Sequence, residues 1–193
     1  EFYLKHVKYY LRDAGDWLGA DGIEFGRSTR IDNITDGYYY EFTYSATEPT
    51  SVTGKTRKDL ATDAVLEIYT YYDNPAHRLS SKEVTTEHDP NGNGTPDEPD
   101  DVNSELYNRH VKYYFRDAAD YTAADGTQYG RTTRIDNITD GWYYEFAYSA
   151  TVDTRIVTKT RKSLSDDSVI MVLTYYDNAA NRLESGTLTV PDA

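Results

Sequence analysis

A nine-residue block occurs twice in the chain, and this repetition constrains the fold more than any other feature. The block TRIDNITDG occupies residues 29–37 and again residues 133–141, an offset of 104 residues. The same offset aligns Glu1 with Glu105 and Arg78 with Arg182 without a gap. Self-similarity at a fixed period marks a repeat architecture. The sequence therefore predicts two copies of one module, copy one at residues 1–88 and copy two at residues 105–193, joined by a linker at residues 89–104.

Short alternating segments separated by turn residues predict an all-β fold. Residues 7–12 alternate as a half-buried strand does, and residues 25–34 and 65–72 are predicted as further strands. Asp36-Gly37 is a two-residue hairpin signal ahead of a returning strand at residues 38–44. Residues 169–173 are apolar on both faces, which predicts a central strand covered on both sides. Strands recurring about every 8–12 residues indicate an antiparallel β-meander or sandwich in each copy. We expect no helix longer than a turn or two.

Composition excludes several classes of function. The chain of 193 residues carries a net charge of −13, so it would repel nucleic acid and anionic membrane surfaces and attract divalent cations. It has no cysteine, which excludes disulfides and thiolate metal sites. No apolar run approaches the length of a membrane span. Because Glu1 aligns with Glu105 and no initiator Met is present, we interpret the sequence as a mature segment or a fragment of a longer array.

Two turns resemble a known repeat family. Residues 72–79 read YDNPAHRL and residues 176–183 read YDNAANRL. This pattern is similar to the YD repeats of the Rhs family, in which a Tyr-Asp pair precedes a turn and a Gly-Arg-Leu. His77 stands where that family has glycine, and Tyr44 is followed by Ser45 rather than Asp. The resemblance implies successive hairpins that wind into a long β-sheet, in an extracellular β-rich scaffold.

The linker contains a candidate calcium loop. Oxygen-bearing side chains fall at loop positions 1, 3, 5, 9 and 12, glycine falls at position 6, and the carbonyl of position 7 is a further ligand. The string resembles the aspartate-rich loops of thrombospondin type 3 repeats. Prolines in the linker exclude the flanking helices of an EF-hand. The alternative is a solvated acidic spacer. The predicted Ca²⁺ ligands are Asp89, Asn91, Asn93, Thr95, Asp97 and Asp100.

One face of the predicted strand at residues 38–44 is an aromatic stripe that recurs in copy two. Core packing is the first interpretation, because the alternating positions include Glu41 and Thr43. A stacking platform for sugars is the alternative, since aromatic rings offer flat apolar faces. Buried rings would remove that alternative. The candidate ligand-binding rings are Tyr38, Tyr40, Trp142 and Tyr144.

We find no catalytic set in the sequence. His6 and His110 correspond between the copies, but neither has a nearby nucleophile or paired carboxylate. Asp32 alternates with Arg30, which suits a cross-strand charge ladder better than a glycosidase pair. The sequence thus predicts a non-enzymatic, secreted or cell-surface structural module of a fibre or adhesin, with calcium setting the joint between copies. Its expected partners are neighbouring modules or other copies of itself, paired through exposed edge strands, and possible glycans.

Overall fold

The structure is a computed structural model that describes residues 6–85 and 109–189, and every regular element in these ranges is a β-strand. The strands of copy one are β1 (Val7–Leu11), β2 (Trp17–Leu18), β3 (Glu24–Phe25), β4 (Ser28–Asn33), β5 (Tyr38–Tyr44), β6 (Val52–Asp59), β7 (Val65–Tyr71) and β8 (Leu79–Val84). Those of copy two are β9 (Val111–Phe115), β10 (Tyr121–Thr122), β11 (Gln128–Tyr129), β12 (Thr132–Asn137), β13 (Trp142–Tyr148), β14 (Ile156–Ser163), β15 (Val169–Tyr175) and β16 (Leu183–Leu188). The prediction of an all-β fold is confirmed. Within the described ranges, no helix is long and apolar enough to cross a bilayer.

The strands form an antiparallel meander that runs through both copies. Its order is β1-β4-β5-β6-β7-β8-β9-β12-β13-β14-β15-β16, with β10 and β11 joined to it as a side branch and β2 and β3 forming a separate hairpin. β8 pairs directly with β9, so one sheet continues from copy one into copy two. Of the described strands, β1 and β16 stand at the two ends of this order.

The hairpin predicted at Asp36 and Gly37 is present, but its loop has four residues rather than two. Asn33 pairs with Tyr38, which leaves residues 34–37 as the loop. The Asn33 side chain accepts the backbone N–H of Asp36 at 3.2 Å and donates to its carboxylate at 2.5 Å. Gly37 has a φ of 73°, a left-handed conformation that glycine adopts without a steric penalty. The asparagine before the loop therefore sets its length.

The predicted strand from Phe25 to Ile34 is divided at Gly26. The backbone of Gly26 approaches the Arg12 carbonyl so closely that an added Cβ would lie 2.0 Å from that oxygen. The backbone N–H of Arg12 donates to the carbonyl of Arg27 at 2.9 Å. Because the chain bends here, β3 leaves the main sheet and pairs with β2 as a hairpin instead.

When one face of a sheet covers a core, burial alternates from residue to residue along each strand. The middle strands of this sheet show no such alternation. All eight residues of β6 and all eight of β14 are partly exposed. Buried rings lie on both faces of β13, since Trp142 and Tyr143 are adjacent in the strand and therefore face opposite ways. Basic side chains of adjacent strands cover them, since the Arg134 guanidinium lies 3.7 Å from the Tyr143 ring centre and that of Arg161 lies 4.2 Å from Trp142. Cross-strand packing buries these rings.

The position and burial of β15 contradict one prediction from the sequence. Its apolar residues 169–173 predicted a central strand covered on both faces, but β15 is the last strand before β16 and is half-buried or exposed along its length. Apolar side chains on both faces here make cross-strand contacts instead of contacts with covering layers. Continuous apolarity along a strand therefore does not by itself indicate a central position.

Candidate functional site at the junction of the two copies

The predicted calcium ligands Asp89, Asn91, Asn93, Thr95, Asp97 and Asp100 lie outside the described residues. The calcium loop therefore stays a prediction. The described chain shows only how that segment is anchored, because Val84 at the end of β8 pairs with Val111 at the start of β9. Within residues 6–85 and 109–189, no three acidic or histidine side chains come together as a metal site.

The four rings proposed as a sugar platform are placed differently in the two copies. Trp142 is 5% exposed and Tyr144 is 4% exposed, so these two rings have no free face for a ligand. Lys159 lies over Tyr144, with its ammonium 3.7 Å from the ring centre. Tyr38 and Tyr40 are half-buried and pack edge to face at 5.4 Å. Burial raises the pKa of Tyr40 to about 12.

The two copies meet at the junction, by which we mean the contacts that β8 and the turn before it make with β9 and the hairpin after it. The strands pair antiparallel in the register Ser81–Tyr114, Lys82–Tyr113, Glu83–Lys112 and Val84–Val111. Leu79, Val84 and Val111 are all buried, and Val111 is 1% exposed. Burial of these side chains stabilises the junction by the hydrophobic effect in addition to the backbone ladder.

A charged cluster lies on one face of the junction. The Glu83 carboxylate contacts the imidazole Nε2 of His110 at 2.8 Å and the Lys112 ammonium at 3.5 Å. All three side chains are partly shielded from solvent. Opposite charges on directly paired residues stabilise a strand pair, and shielding strengthens the effect over that of an exposed pair. The cluster thus favours this register of β8 against β9.

The turn between β7 and β8 makes a second set of polar contacts with copy two. The Tyr72 hydroxyl donates to the Phe115 carbonyl at 2.6 Å. The Asn74 amide and the Arg78 guanidinium both donate to the carboxylate of Asp117 at 2.8 Å. These contacts fix the far end of β9 against copy one. The Tyr-Asp turns singled out in the sequence therefore include a junction element.

The hairpin formed by β10 and β11 folds over the junction. Tyr129 of β11 makes a parallel bridge to Leu79 of β8. The Tyr129 ring lies 5.3 Å from Phe115 and stacks on Tyr121 at 5.4 Å. In copy one the corresponding hairpin of β2 and β3 is exposed, including Trp17 and Phe25. Of the two ring positions, only that of Phe25 becomes less exposed in copy two, where Tyr129 packs at the junction, whereas Tyr121 stays exposed like Trp17.

A cavity of about 490 Å³ lies between this hairpin and the sheet. Its walls combine aromatic rings with groups of both charges. Burial lowers the pKa of Lys55, and burial raises the pKa of Tyr71 to about 12. Burial alone would raise the pKa of Glu67 beside the cavity, but the hydrogen bond and charge of Lys82, the hydrogen bond of Tyr69 and the charge of Arg57 together outweigh it, so the pKa is lowered. The lining residues are Lys55, Tyr69, Tyr71, Leu79, Lys82, Val84, Tyr113, Phe115, Ala123, Asp125, Thr127 and Tyr129.

Such a cavity can hold a small polar molecule, since it offers rings for stacking and both donors and acceptors for hydrogen bonds. Sequence reasoning missed it because its walls come from both copies. Only the pairing of β8 with β9 brings Tyr71 next to Phe115. One indication of the junction was present in the sequence. The last strand of copy one, β8, has an outer edge whose unpaired N–H and C=O groups are a template for a further strand.

Asp32 and its counterpart Asp136, which were expected in a cross-strand charge ladder, each pair with an arginine two residues earlier in their own strand. The Arg30 guanidinium donates to Asp32 at 2.5 Å, and the Tyr10 hydroxyl donates to it at 3.1 Å. The hydrogen bond from Arg30 holds the pKa of Asp32 below its ordinary value. An ionised, fully bonded carboxylate suits a structural role better than proton transfer.

Comparison with known proteins adds no family. No protein-family model matches the chain, and no curated protein matches it.

Proposed function

We propose that the chain is a non-enzymatic structural or adhesive segment of an extracellular fibre or surface protein, in which consecutive copies join edge to edge into one sheet. The observation that carries this proposal is the pairing of β8 with β9, which makes the copies a continuous ladder. A joint made of backbone hydrogen bonds, an apolar strip and charge pairs is suited to bearing load along the sheet. Its partners in this role are neighbouring modules or other copies of the chain.

The resemblance to YD repeats supports the proposal. Residues 72–79 and 176–183 each connect two antiparallel strands, as hairpins of that family do. His77 and Asn181 stand where the family has glycine, and they have φ values of 44° and 43°. This left-handed conformation is the one that favours glycine. The local backbone therefore agrees with the resemblance even where the residue type departs from it.

Calcium has a defined place in the proposal. Val84 at the end of β8 pairs with Val111 at the start of β9, so the points at which the described chain enters and leaves the linker lie side by side. A cation bound by Asp89, Asn91, Asn93, Thr95, Asp97 and Asp100 would bridge these residues and neutralise their charge. Because β8 and β9 already hold the copies together, the ion would reinforce the joint instead of forming it alone.

Calcium titration by calorimetry tests this role. We expect saturable binding by the wild-type chain and its loss in a variant with Asp89→Ala, Asp97→Ala and Asp100→Ala. The matched control changes Glu98, Asp101 and Glu105 to alanine, which removes the same charge from positions outside the predicted ligand set. Loss of binding in the control as well would indicate a diffuse charge effect. No binding by the wild type would reject calcium as part of the joint.

Thermal unfolding tests the structural role. If the junction couples the copies, calorimetry should show one transition whose calorimetric and van't Hoff enthalpies agree. Asp117→Ala removes the acceptor for Asn74 and Arg78 and should weaken the coupling, whereas Asp13→Ala at the corresponding free end should not. Two independent transitions in the wild-type chain would contradict the proposal that consecutive copies act as one unit.

Carbohydrate binding is a second candidate function. Its candidate site is the junction cavity, in place of the ring platform predicted from the sequence. Tyr71, Tyr129 and Phe115 could contact the apolar face of a sugar, while Lys82 and Asp125 could bond its hydroxyl groups. Titration with a panel of soluble oligosaccharides tests it. Tyr71→Ala should abolish binding, and Tyr175→Ala, at the corresponding position beside the free edge of β16, should leave it unchanged. No binding of any tested sugar would remove this candidate in favour of the structural role.

A further inference from the structure

We propose that the outer edges of β16 and β1, which pair with no other described strand, are the two halves of a second junction, through which one chain binds a second copy of itself head to tail. β16 of one chain would add to β1 of the next in the register that joins β8 to β9. The inference rests on the proposed structural function, since it uses the same joint. It adds the partner, the two surfaces and the direction of assembly.

Correspondence between the copies defines both surfaces. At the offset of 104 residues, β16 is the counterpart of β8 and β1 is the counterpart of β9. β1 has the sequence VKYYL and β9 has VKYYF. The pairs expected between two chains are Ser185–Tyr10, Gly186–Tyr9, Thr187–Lys8 and Leu188–Val7, by analogy with the pairs of the internal junction.

Backbone hydrogen-bonding groups on both edges point in the required direction. The N–H of Thr189 donates to the Ile170 carbonyl at 2.8 Å, so the alternation of an antiparallel ladder turns the N–H groups of Gly186 and Leu188 away from β15. The Ile34 N–H donates to the His6 carbonyl at 2.9 Å, which by the same alternation turns Tyr9 outward from β4. β16 and β1 therefore each present a row of backbone hydrogen-bonding groups that point away from the sheet and are available for pairing.

The apolar side chains that the internal junction buries are exposed at the two ends. Leu79 is 6% exposed, whereas its counterpart Leu183 is 54% exposed. Val84 is 7% exposed, whereas Leu188 is 66% exposed. At the other end, Tyr9 is also exposed. Burying these leucines on a second copy would remove from water the same type of surface that stabilises the internal junction.

Polar groups of the turn are retained as well. Tyr176, Asn178 and Arg182 are the counterparts of Tyr72, Asn74 and Arg78. Asp13 is the counterpart of Asp117, and the Leu11 carbonyl is the counterpart of the Phe115 carbonyl. Between two chains, the Tyr176 hydroxyl would donate to the Leu11 carbonyl. The Asn178 amide and the Arg182 guanidinium would both donate to the Asp13 carboxylate. This pattern of donors and acceptors selects a copy of the chain over an unrelated strand.

One charged contact is missing from the second junction. Thr187 stands at the position of Glu83, so His6 and Lys8 would face a hydroxyl instead of a carboxylate. We therefore expect association between chains to be weaker than the internal junction. Because the two surfaces differ, each added chain exposes a new copy of the same edge, and the assembly is open-ended rather than a closed dimer.

Sedimentation velocity over a wide range of concentration tests the proposal. The wild-type chain should show a mean mass that rises past that of a dimer. Leu183→Lys with Leu188→Lys should lower the association constant at least about a hundredfold, since two buried leucines are replaced by charges. Leu18→Lys is the matched control, because Leu18 is exposed and its counterpart Thr122 is exposed even beside the internal junction. Thr187→Glu should raise the association constant by about fivefold.

A mixing experiment tests the direction. Tyr9→Pro removes an outward N–H from β1 without removing a bond to β4, so this variant keeps only its β16 edge. The lysine variant keeps only its β1 edge. Each should be monomeric alone, and an equal mixture should form a heterodimer and nothing larger. Association of either variant with itself would contradict the head-to-tail geometry, and a monomeric wild type at every concentration would overturn the proposal.

The outcomes separate this inference from the proposed function. A monomeric chain that still unfolds as one unit would reject assembly between chains but leave the joint between copies intact. Concentration-dependent association that survives the lysine substitutions would show a different surface at work. Independent unfolding of the two copies would instead reject the structural function on which the inference rests.

Discussion

Val111→Ala should destabilise the chain more than Val7→Ala, although the two valines occupy corresponding positions. Val111 is 1% exposed and packs at the junction, where it pairs with Val84. The substitution removes two methyl groups, each contributing about 0.8 kcal/mol when buried. Incomplete relaxation around the cavity adds to this cost, giving about 2 kcal/mol. Val7 lies half-buried at the end strand, so the same change should cost less than about 1 kcal/mol.

Urea unfolding at low protein concentration measures the difference. With a slope of about 2 kcal/mol per molar, Val111→Ala should lower the midpoint by about 1 M and Val7→Ala by less than half as much. Far-UV circular dichroism reports on the whole sheet, and tryptophan fluorescence reports on the surroundings of the buried Trp142 in copy two and of the exposed Trp17 in copy one. Equal midpoint shifts for the two variants would refute the argument, because they would mean that the junction does not bury apolar surface that the end strand leaves exposed.

Three further substitutions or conditions should change the free energy of unfolding. Tyr72→Phe removes the hydroxyl bonded across the junction and should cost about 1 kcal/mol in urea unfolding, whereas Tyr176→Phe at the free end should cost nothing measurable. Asn181→Ala should destabilise by about 1 kcal/mol because alanine lacks the tolerance of asparagine for a φ of 43°, and Asn181→Gly should not. Hydrogen bonds from neighbouring arginines lower the pKa of Asp16 and Asp120 from 3.8 to about 2. Because folding lowers both pKa values, their stabilisation is complete above about pH 4 and is lost as the pH falls toward 2. The urea midpoint should therefore drop over that interval, and drop less when both aspartates are changed to asparagine.

The local pattern of the sequence predicted the strands well because it depends on short-range chemistry. β1, β5 and β7 lie within a residue of their predicted positions. The loop after β4 was predicted too short, since an Asp-Gly pair indicates a tight turn and the side-chain bonds of Asn33 extend it. The break at Gly26 depends on the approach of another strand, which no local pattern reports.

Burial on the second face of β5 and β13 was not predictable from alternation. Tyr39 and Tyr143 occupy positions that alternate with the aromatic stripe and include glutamate and threonine, so they were expected to face solvent. The guanidinium of Arg30 lies 3.6 Å from the Tyr39 ring centre, and a left-handed Asp63 accepts the hydroxyl. Long basic side chains can therefore bury a ring on a face that binary patterning assigns to solvent.

The two halves of the junction have diverged to different extents between the copies, and this difference bears on how the joint works. The first strand of each copy, here called the incoming strand, is almost unchanged, since β1 and β9 differ only at Leu11 and Phe115. The last strand of each copy, here called the outgoing strand, changes more, with LSSKEV in β8 and LESGTL in β16. Its two apolar end positions remain apolar, while its charged positions do not. Apolar burial and backbone pairing need only the first property, whereas the strength added by the Glu83 cluster needs the second. The outgoing strand can therefore set the strength of a joint without altering its geometry.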